Sequence, residues 1–326
     1  MKEILKLMRW QNLLIVALTM VLMRYAIIAP LIGKLSIVMS NGEEVFMKLQ
    51  WPLINFILLV LATVMITAGG YVINDYFDIK ADLINRGKVI VGTKVPRRTA
   101  IMWHSVLNIG GVVLGFYISW RAGYTMMGAL FLIVSGLLYF YSASYKRQFL
   151  IGNIVVALLT AMVPMLVALY EWPALYRYYA VNSAAGAPDV DFIVWWVGGF
   201  AVFAFLMTLA REIIKDIEDF EGDTEYGRNT VPVVAGIRPA KFISITLVVV
   251  TIAVLYTAWH FYVNDYITLL YITIAVVLPL LYVIYQVARS RERKELHSAS
   301  RFMKIAMITG VLYSVVVKII LAWNLF

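Results

Sequence analysis

Long apolar runs, interrupted only by clusters of charged residues, occupy most of the 326-residue chain. The runs lack the alternation of apolar and polar positions that membrane barrel strands show, so they predict helices. Each run approaches or exceeds the roughly 20 apolar residues that a bilayer-spanning helix needs. We therefore predict one all-α membrane domain over residues 1–326 with nine spans, at about 12–30, 52–73, 101–119, 124–142, 151–170, 192–213, 240–262, 267–288 and 305–323.

The composition supports this prediction and excludes most soluble functions. Hydrophobic residues make up 62% of the chain and charged residues 14%, and the mean hydropathy is +0.83. A soluble domain has about 25% charged residues, so too little polar material is present to cover a surface in water. The absence of cysteine excludes disulfides, thiolate nucleophiles, iron–sulfur clusters and cysteine zinc sites.

The basic residues are distributed unevenly between the two sides of the predicted membrane. The N-terminus and the segments after spans 2, 4, 6 and 8 hold 22 of the 28 Lys and Arg residues. Because cytoplasmic loops are enriched in Lys and Arg, we predict a cytoplasmic N-terminus and a C-terminus on the opposite side. The net charge of +9 then reflects membrane topology, and we expect no nucleic-acid partner. Arg24 and Lys318 fall inside spans, where charged residues either face a cavity or extend to the interface.

Ten of the 19 acidic residues lie in two segments that follow spans 2 and 6 on the same predicted face. In each segment three aspartates are spaced by three and then four residues, which places each trio on one stripe of a helix. Like charges at these spacings destabilise a helix. Such a stripe is therefore expected where the aspartates bind a cation, which relieves the repulsion. Oxygen ligands prefer hard cations, and Mg²⁺ usually connects one or two carboxylates to substrate phosphates. The trios are Asp75, Asp78 and Asp82, and Asp216, Asp219 and Asp223.

Basic residues beside both trios complete a candidate site for a diphosphate held through Mg²⁺. Solvated acidic loops are the alternative interpretation, and two matching trios on one face make it the weaker one. Lys146 and Arg147 either only orient the chain in the membrane or supply positive charge where a leaving group departs. The bases beside the trios are Lys80, Arg86, Lys88, Arg211, Lys215 and Arg228.

The two acidic segments resemble the signature motifs of the UbiA-type intramembrane prenyltransferases. The segments NDYFDIKADLINR and REIIKDIEDFEGD carry this resemblance, together with YKR and GN between them. The resemblance covers essentially the whole chain, and REIIKDIEDFEGDTEYGRNTVPV is most similar to the digeranylgeranylglyceryl phosphate synthase branch. It implies nine helices ringed around a central cavity that opens sideways to lipid, capped on the cytoplasmic side by the loops after spans 2 and 6.

The resemblance also implies roles for individual residues. The expected metal ligands are Asn74, Asp75, Asp78, Asp82, Asp216, Asp219 and Asp223. The expected diphosphate-binding residues are Asn74, Arg86, Lys88, Lys146, Arg147 and Lys215, and the expected catalytic residues are Asp78, Asp82, Asp219, Asp223, Arg147 and Lys146. One departure concerns the first motif, because RGKVIVGTK follows Asn85 where the family often has two prolines and a second base. Lys88 is the candidate replacement for that base.

Three function classes fit the sequence to different degrees. The first is a prenyltransferase that uses Mg²⁺, with Mn²⁺ as a substitute, to move a prenyl group, with geranylgeranyl as the lead, from its diphosphate to a lipophilic acceptor in a prokaryotic cell membrane. The lead acceptor is geranylgeranylglyceryl phosphate, and an aromatic quinone precursor is the alternative. The second class is a membrane terpenoid cyclase or diphosphate lyase, which would consume diphosphate without an acceptor. The third is a transporter, whose acids would sit at mid-span in broken helices.

Overall fold

The structure is a computed structural model that describes residues 2–86, 89–186 and 188–323, without the side chains of residues 85 and 86. Over these residues nine helices are long and apolar enough to cross a membrane. The prediction of an all-α membrane protein with nine spans is therefore confirmed. The spanning helices are α2 (Trp10–Ile32), α3 (Leu53–Phe77), α5 (Arg97–Arg121), α6 (Thr125–Arg147), α7 (Ile151–Asn182), α8 (Phe192–Glu218), α11 (Ile237–Val263), α12 (Tyr266–Arg289) and α13 (Arg293–Ala322).

Short elements lie between the spanning helices. A hairpin of β1 (Ser36–Val38) and β2 (Glu44–Phe46) follows α2, with Ile37 paired to Val45 in antiparallel register. On the opposite side, short helices follow α3 and α8, the two helices that carry the aspartate motifs. These are α4 (Ile79–Arg86) after α3, and α9 (Phe220–Glu225) and α10 (Val231–Ala235) after α8. A further short helix, α1 (Lys2–Leu7), precedes the first span.

Helix α8 connects the two main parts of the apolar core. It packs against α7, α11 and α13, while α3 packs against α5 and α6. Ile193 and Val197, near the start of α8, belong to a buried cluster with residues of α2, α3 and α7. Met207 and Ile213, farther along α8, belong to a second cluster with residues of α11, α12 and α13. The second aspartate motif therefore follows a helix that is held on several sides.

Several helices extend beyond the apolar runs that predict them. Helix α7 continues to Asn182, although its apolar run ends near residue 170, and α13 begins at Arg293 although its run begins near residue 305. The added turns carry polar groups that find partners inside the protein. Glu171 on the α7 extension is fully buried in an ion pair with Arg24, and His297 on the α13 extension contacts Glu218. Hydropathy alone cannot foresee these pairings, because they join distant parts of the chain.

Candidate active site

A cavity of about 720 Å³ lies between α2, α3, α6, α7, α8 and α13, and charged residues gather at one end of it. The apolar remainder is lined by side chains such as Ile66, Phe131 and Leu166. The charged end lies where α3 and α8 finish, so the fold brings the two aspartate segments to one place. The charged residues that line it are Arg9, Asp78, Asp82, Lys146, Arg211, Glu212, Lys215, Asp216, Glu218, Asp219, Asp223, Arg228 and Lys304.

Asp78 is the most closely held carboxylate of the first motif. It ends α3, its backbone N–H donates to the carbonyl of Asn74, and only 8% of the residue is exposed. Lys146 Nζ and Arg228 Nη2 each lie 2.6 Å from Asp78 Oδ1. Burial alone would raise the pKa of Asp78, but the charges of Lys146 and Arg228 outweigh burial and lower it. Asp78 is therefore an ionised carboxylate between two cations.

The last turn of α6, Tyr145–Arg147, places Lys146 beside the first motif. Lys146 Nζ also donates to Asn74 Oδ1 at 3.2 Å. A Cβ on Gly152 would lie 2.6 Å from the Cα of Lys146, so only glycine allows the start of α7 to pack this closely against the turn. The carbonyl of Arg147 accepts from the N–H of Asn229 at 2.9 Å, which fixes the loop that carries Arg228.

The second motif occupies the end of α8 and the short helix α9. Asp216 Oδ2 accepts from Asn153 Nδ2 at 2.8 Å, and Asp219 Oδ1 lies 2.8 Å from Arg293 Nη2. Asp223 is 2% exposed, and its Oδ1 lies 3.2 Å from Arg228 Nη1. Burial raises the pKa of Asp223 to about 6, although the charge of Arg228 partly opposes this.

Most of the predicted site residues line this one cavity. Among the predicted residues whose side chains the structure describes, two do not line it. Asp75 instead pairs with Arg9 at 2.8 Å, and Arg147 contributes its backbone carbonyl to the Asn229 contact. Arg86 belongs to α4 but its side chain is not described, and Lys88 lies outside the described residues. The predicted residues that line the cavity are Asn74, Asp78, Asp82, Lys146, Lys215, Asp216, Asp219 and Asp223.

Several contributors are not among the site residues predicted from the sequence. Arg228 was recognised only as a neighbouring base, yet it contacts carboxylates of both motifs. Asn153 belongs to the GN pair that carries part of the family resemblance, and it is the hydrogen-bond partner of Asp216. Arg9 and Lys304 lie near opposite ends of the chain, and no local pattern connects them to the aspartates.

The carboxylates fit a magnesium ion that is held partly by its substrate. Within the described residues, no group of three His, Asp or Glu side chains is arranged to hold a metal by itself. Instead, aspartates of both motifs line one cavity, and the guanidinium of Arg228 lies between Asp78 and Asp223. Mg²⁺ prefers oxygen ligands and is usually bound by one or two carboxylates plus substrate phosphates. Such a donor set suits Mg²⁺ with a diphosphate better than Mg²⁺ alone.

Solved structures of other membrane proteins share this fold. A solved structure described as digeranylgeranylglyceryl phosphate synthase superposes with a TM-score of 0.61 at 22% identity, covering 96% of this chain and 98% of the other. A UbiA homologue from Archaeoglobus fulgidus, bound to GPP and Mg²⁺, superposes with a TM-score of 0.55 at 15% identity, covering 96% and 99%. At these identities, the likeness establishes the fold alone.

Sequence comparison extends from the fold to the family. Digeranylgeranylglyceryl phosphate synthase of Thermococcus gammatolerans is 31% identical over 286 residues, which cover 87% of this chain and 91% of the relative. The synthase of Thermococcus kodakarensis is 29% identical over 297 residues, which cover 90% and 94%. A model of the UbiA prenyltransferase family matches residues 46–308, so the resemblance that the two motifs carry is confirmed. The chain is a membrane enzyme that belongs to the UbiA prenyltransferase family.

Proposed function

We propose that this enzyme transfers a geranylgeranyl group from its diphosphate to geranylgeranylglyceryl phosphate, with Mg²⁺ as the cofactor and Mn²⁺ as a substitute. The observation that carries this proposal is the joining of both aspartate motifs at one end of an otherwise apolar cavity. Arg228 contacts Asp78 of the first motif and Asp223 of the second, which are separated by 145 positions in the sequence. One diphosphate bound between them would engage both motifs, while its chain occupies the apolar part.

The residues at the charged end have complementary tasks toward the donor. Lys146 and Arg228 already neutralise Asp78, and they are placed to contact diphosphate oxygens directly. Lys215 lines the same end, where it pairs with Glu212 at 3.0 Å. Carboxylates from Asp78, Asp82 and the second motif would hold the cofactor. When bound, Mg²⁺ neutralises the diphosphate and so stabilises it as a leaving group.

The transfer breaks one bond and forms another at carbon 1 of the donor. The C1–O bond breaks and its electron pair leaves on the diphosphate. The acceptor's hydroxyl oxygen then bonds to C1 and loses its proton to the departed diphosphate. The allylic carbon carries positive charge in between, and an aromatic face such as Tyr141 in the cavity wall stabilises such charge. The apolar walls exclude water, which would otherwise capture the same carbon.

The acceptor is chosen from the curated relatives and from the charge of the site. Proteins of 29–33% identity over most or part of the chain carry the name digeranylgeranylglyceryl phosphate synthase. Arg9, Arg211 and Lys304 also line the cavity, and these cations can bind an anionic head group of the acceptor. A phosphorylated lipid glycerol fits this cavity, because its apolar chain suits the apolar walls and its anionic head group suits the cations.

The orientation in the membrane follows from the distribution of charge. We place the N-terminus and both aspartate motifs on the cytoplasmic side, where 22 of the 28 Lys and Arg residues gather, and the C-terminus on the opposite side. An odd number of spanning helices supports this placement of the two termini on different sides. A prokaryotic cell membrane is the proposed location, and the chain acts there as one domain.

The test is transfer by the purified enzyme in lipid nanodiscs, read by mass spectrometry. The enzyme receives Mg²⁺ and geranylgeranyl diphosphate with geranylgeranylglyceryl phosphate, with an aromatic quinone precursor, or with no acceptor. We expect an ether product only with the glyceryl phosphate, and no product in EDTA. Transfer to the aromatic acceptor alone would overturn the acceptor assignment. Consumption of diphosphate without any acceptor would indicate a cyclase or lyase instead.

A further inference from the structure

A second group of cations faces the cavity on walls that do not carry Lys146 or Arg228. Arg9 precedes α2, Arg211 belongs to α8 and Lys304 belongs to α13, and all three line the cavity. Arg9 and Arg211 are close enough to Lys304 for their charges to act on it. Two helices and the turn before α2 therefore bring three positive charges to one region, which is unfavourable unless an anion is present there.

The carboxylates in this region are already shared. Asp75 pairs with Arg9 at 2.8 Å. Glu212 lies 3.2 Å from Arg211 and 3.0 Å from Lys215, so one carboxylate serves two cations. Among the residues that the structure describes, no carboxylate forms an ion pair with Lys304. The ammonium of Lys304 donates instead to the side-chain oxygen of Asn12 at 2.8 Å.

Arg211 provides an independent sign that a ligand is missing from its surroundings. Its Nε is buried and has no hydrogen-bond partner within the described part of the chain. A buried donor without a partner costs about 1–3 kcal/mol, and the cost is larger for a charged group. Arg211 lines the cavity and its side chain is 27% exposed, so an anion bound there can contact the exposed part of the guanidinium.

We propose that Arg9, Arg211 and Lys304 form a second anion site, which binds the phosphate monoester of the acceptor lipid. The inference rests on the proposed function, because it requires a phosphorylated acceptor. Lys146 and Arg228 serve the donor diphosphate, and the second site keeps the acceptor phosphate apart from the leaving group. Without that separation, two anionic substrates would compete for the same cations.

Hydrogen bonds connect the second site to α3, close to the donor site. Asn12 joins Lys304 to Tyr71, because its amide nitrogen donates to the Tyr71 hydroxyl at 3.3 Å. Tyr71 precedes Asn74 by one turn of α3, about 4.5 Å along the helix axis. Asn74 is the residue that contacts Lys146 of the donor site. The two anion sites are therefore neighbours, as a transfer between their two ligands requires.

A substrate–variant cycle tests the second site. The wild type, Lys304→Gln and Lys304→Arg are each given geranylgeranylglyceryl phosphate and the corresponding geranylgeranylglycerol, which lacks the phosphate. Lys294→Gln is the matched control, because Lys294 lies on the same helix but does not line the cavity. The KM for each acceptor and the KM for geranylgeranyl diphosphate are measured separately.

We expect Lys304→Gln to raise the KM for the phosphorylated acceptor by about ten- to a hundredfold, the value of a charge-assisted hydrogen bond. Its KM values for the donor and for the dephosphorylated acceptor should stay at the wild-type values. Lys304→Arg should keep most of the preference for phosphate, and Lys294→Gln should behave as the wild type.

The outcomes separate the inference from the function on which it rests. If the wild type does not prenylate geranylgeranylglyceryl phosphate, the proposed function fails and the second site fails with it. If the wild type does so, but Lys304→Gln changes the KM for both acceptors equally or changes only the KM for the donor, the second site alone is overturned. A charge-independent effect, equal in Lys304→Gln and Lys304→Arg, would also overturn it.

Discussion

The guanidinium of Arg228 lies 2.6 Å from the carboxylate of Asp78, across 150 positions of the chain. The other arm of the same guanidinium lies 3.2 Å from Asp223. Arg228 thus holds the two aspartate motifs together by charge before any ligand binds. A cofactor that binds both motifs must share these carboxylates with Arg228. The arginine therefore stabilises the metal-free enzyme, and it gives up part of its contacts with the carboxylates when the metal binds.

The first prediction concerns the role of Arg228 in the metal-free enzyme. Arg228→Gln should destabilise that state by about 3 kcal/mol, because it removes the counter-charge of the buried Asp223 and one of the two counter-charges of Asp78. Adding Mg²⁺ should restore more stability to this variant than to the wild type, since the ion then neutralises the same carboxylates. Thermal unfolding in detergent, with and without Mg²⁺, measures both effects.

Arg293→Gln is the matched control for that experiment. Arg293 also pairs with a motif residue, Asp219, but its side chain is 40% exposed. An exposed pair contributes about 0–1 kcal/mol, so the control should unfold near the wild-type temperature. An equal response of Arg228→Gln and wild type to Mg²⁺ would contradict the role assigned to Arg228.

The second prediction separates one shared site from two independent ones. Asp78→Asn and Asp219→Asn should each lower kcat by about a hundredfold or more, because each removes charge from a site that stabilises the leaving group. The double variant should be scarcely slower than either single variant, since groups that act as a unit are strongly non-additive. Single-turnover rates with excess enzyme measure this, and circular dichroism confirms that each variant is folded.

Asp189→Asn is the control for the second prediction, because Asp189 is exposed and lies outside the cavity lining. It should keep the wild-type rate. Multiplicative losses in the double variant would mean that the two motifs act separately. A wild-type rate in Asp219→Asn would show that the second motif does not take part in turnover.

The third prediction concerns the length of the donor chain. On α3 the cavity extends from Asp78 to Thr63, which is about 22 Å of helix. Phe131 lines the cavity among its apolar residues and is 3% exposed. A Cβ on Gly115 would lie 2.3 Å from the Phe131 ring, so the ring rests directly on the glycine and cannot move toward it. We infer that this ring limits the depth available to a prenyl chain.

Phe131→Leu should therefore shift the preference of the enzyme toward longer donors. We expect the kcat/KM for geranylfarnesyl diphosphate to rise relative to that for geranylgeranyl diphosphate. Phe116→Leu is the matched control, because the Phe116 ring packs on Gly128 in the same way without lining the cavity. Competition between the two donors, read by product mass, measures the ratio. An unchanged ratio in Phe131→Leu would place the end of the chain elsewhere.

The main features of the site could be predicted from the sequence because they are local. Asp216, Asp219 and Asp223 all line the cavity, although the single helix that their spacing predicts ends at Glu218 and a second one begins at Phe220. Three of the four polar residues of the first motif also line the cavity. Local periodicity cannot specify partners in distant segments. Asn12 and Lys304 are hydrogen-bonded across 292 positions, and nothing in either neighbourhood indicates the contact.

Asp75 shows the limit of the same local argument. Its spacing from Asp78 places it on the aspartate stripe, yet its carboxylate pairs with Arg9, which lies 66 positions away. Arg9 has a left-handed backbone, with φ of 52°, between α1 and α2. Burial opposes ionisation of the Arg9 guanidinium, but the negative charge of Asp75 favours it, and the net effect raises the pKa of Arg9.

The ion pair between Arg24 and Glu171 was also beyond sequence reasoning. The sequence predicts that Arg24 either faces a cavity or extends to the membrane interface. It places Glu171 just after the predicted end of a span, where nothing indicates a partner inside the membrane. Instead, Arg24 Nε lies 3.1 Å from Glu171 Oε2, and the side chains are 2% and 0% exposed. Arg24 occupies a π-helical turn of α2, Met23–Ile28, and also donates to the carbonyl of Trp51. The pair holds three segments together.

The last prediction tests whether this pair stabilises the fold without taking part in catalysis. Glu171 Oε1 accepts from the N–H groups of Gln50 at 2.9 Å and Trp51 at 3.1 Å. Glu171→Gln keeps that acceptor and the shape of the side chain, but it leaves Arg24 as an uncompensated buried charge. We expect a loss of about 3–5 kcal/mol in unfolding free energy. Adding Arg24→Met should recover part of this loss, because the unpaired charge is then gone.

Thermal unfolding of the single and double variants measures the stability, and transfer assays at low temperature measure the KM for the donor. That KM should stay at the wild-type value in every folded variant, because neither Arg24 nor Glu171 lines the cavity. If Glu171→Gln were as stable as the wild type, the carboxylate would not be compensating Arg24. If the double variant were less stable than Glu171→Gln, the contacts of Arg24 with Trp51 and the nearby Phe56 ring, 4.6 Å away, would outweigh its charge.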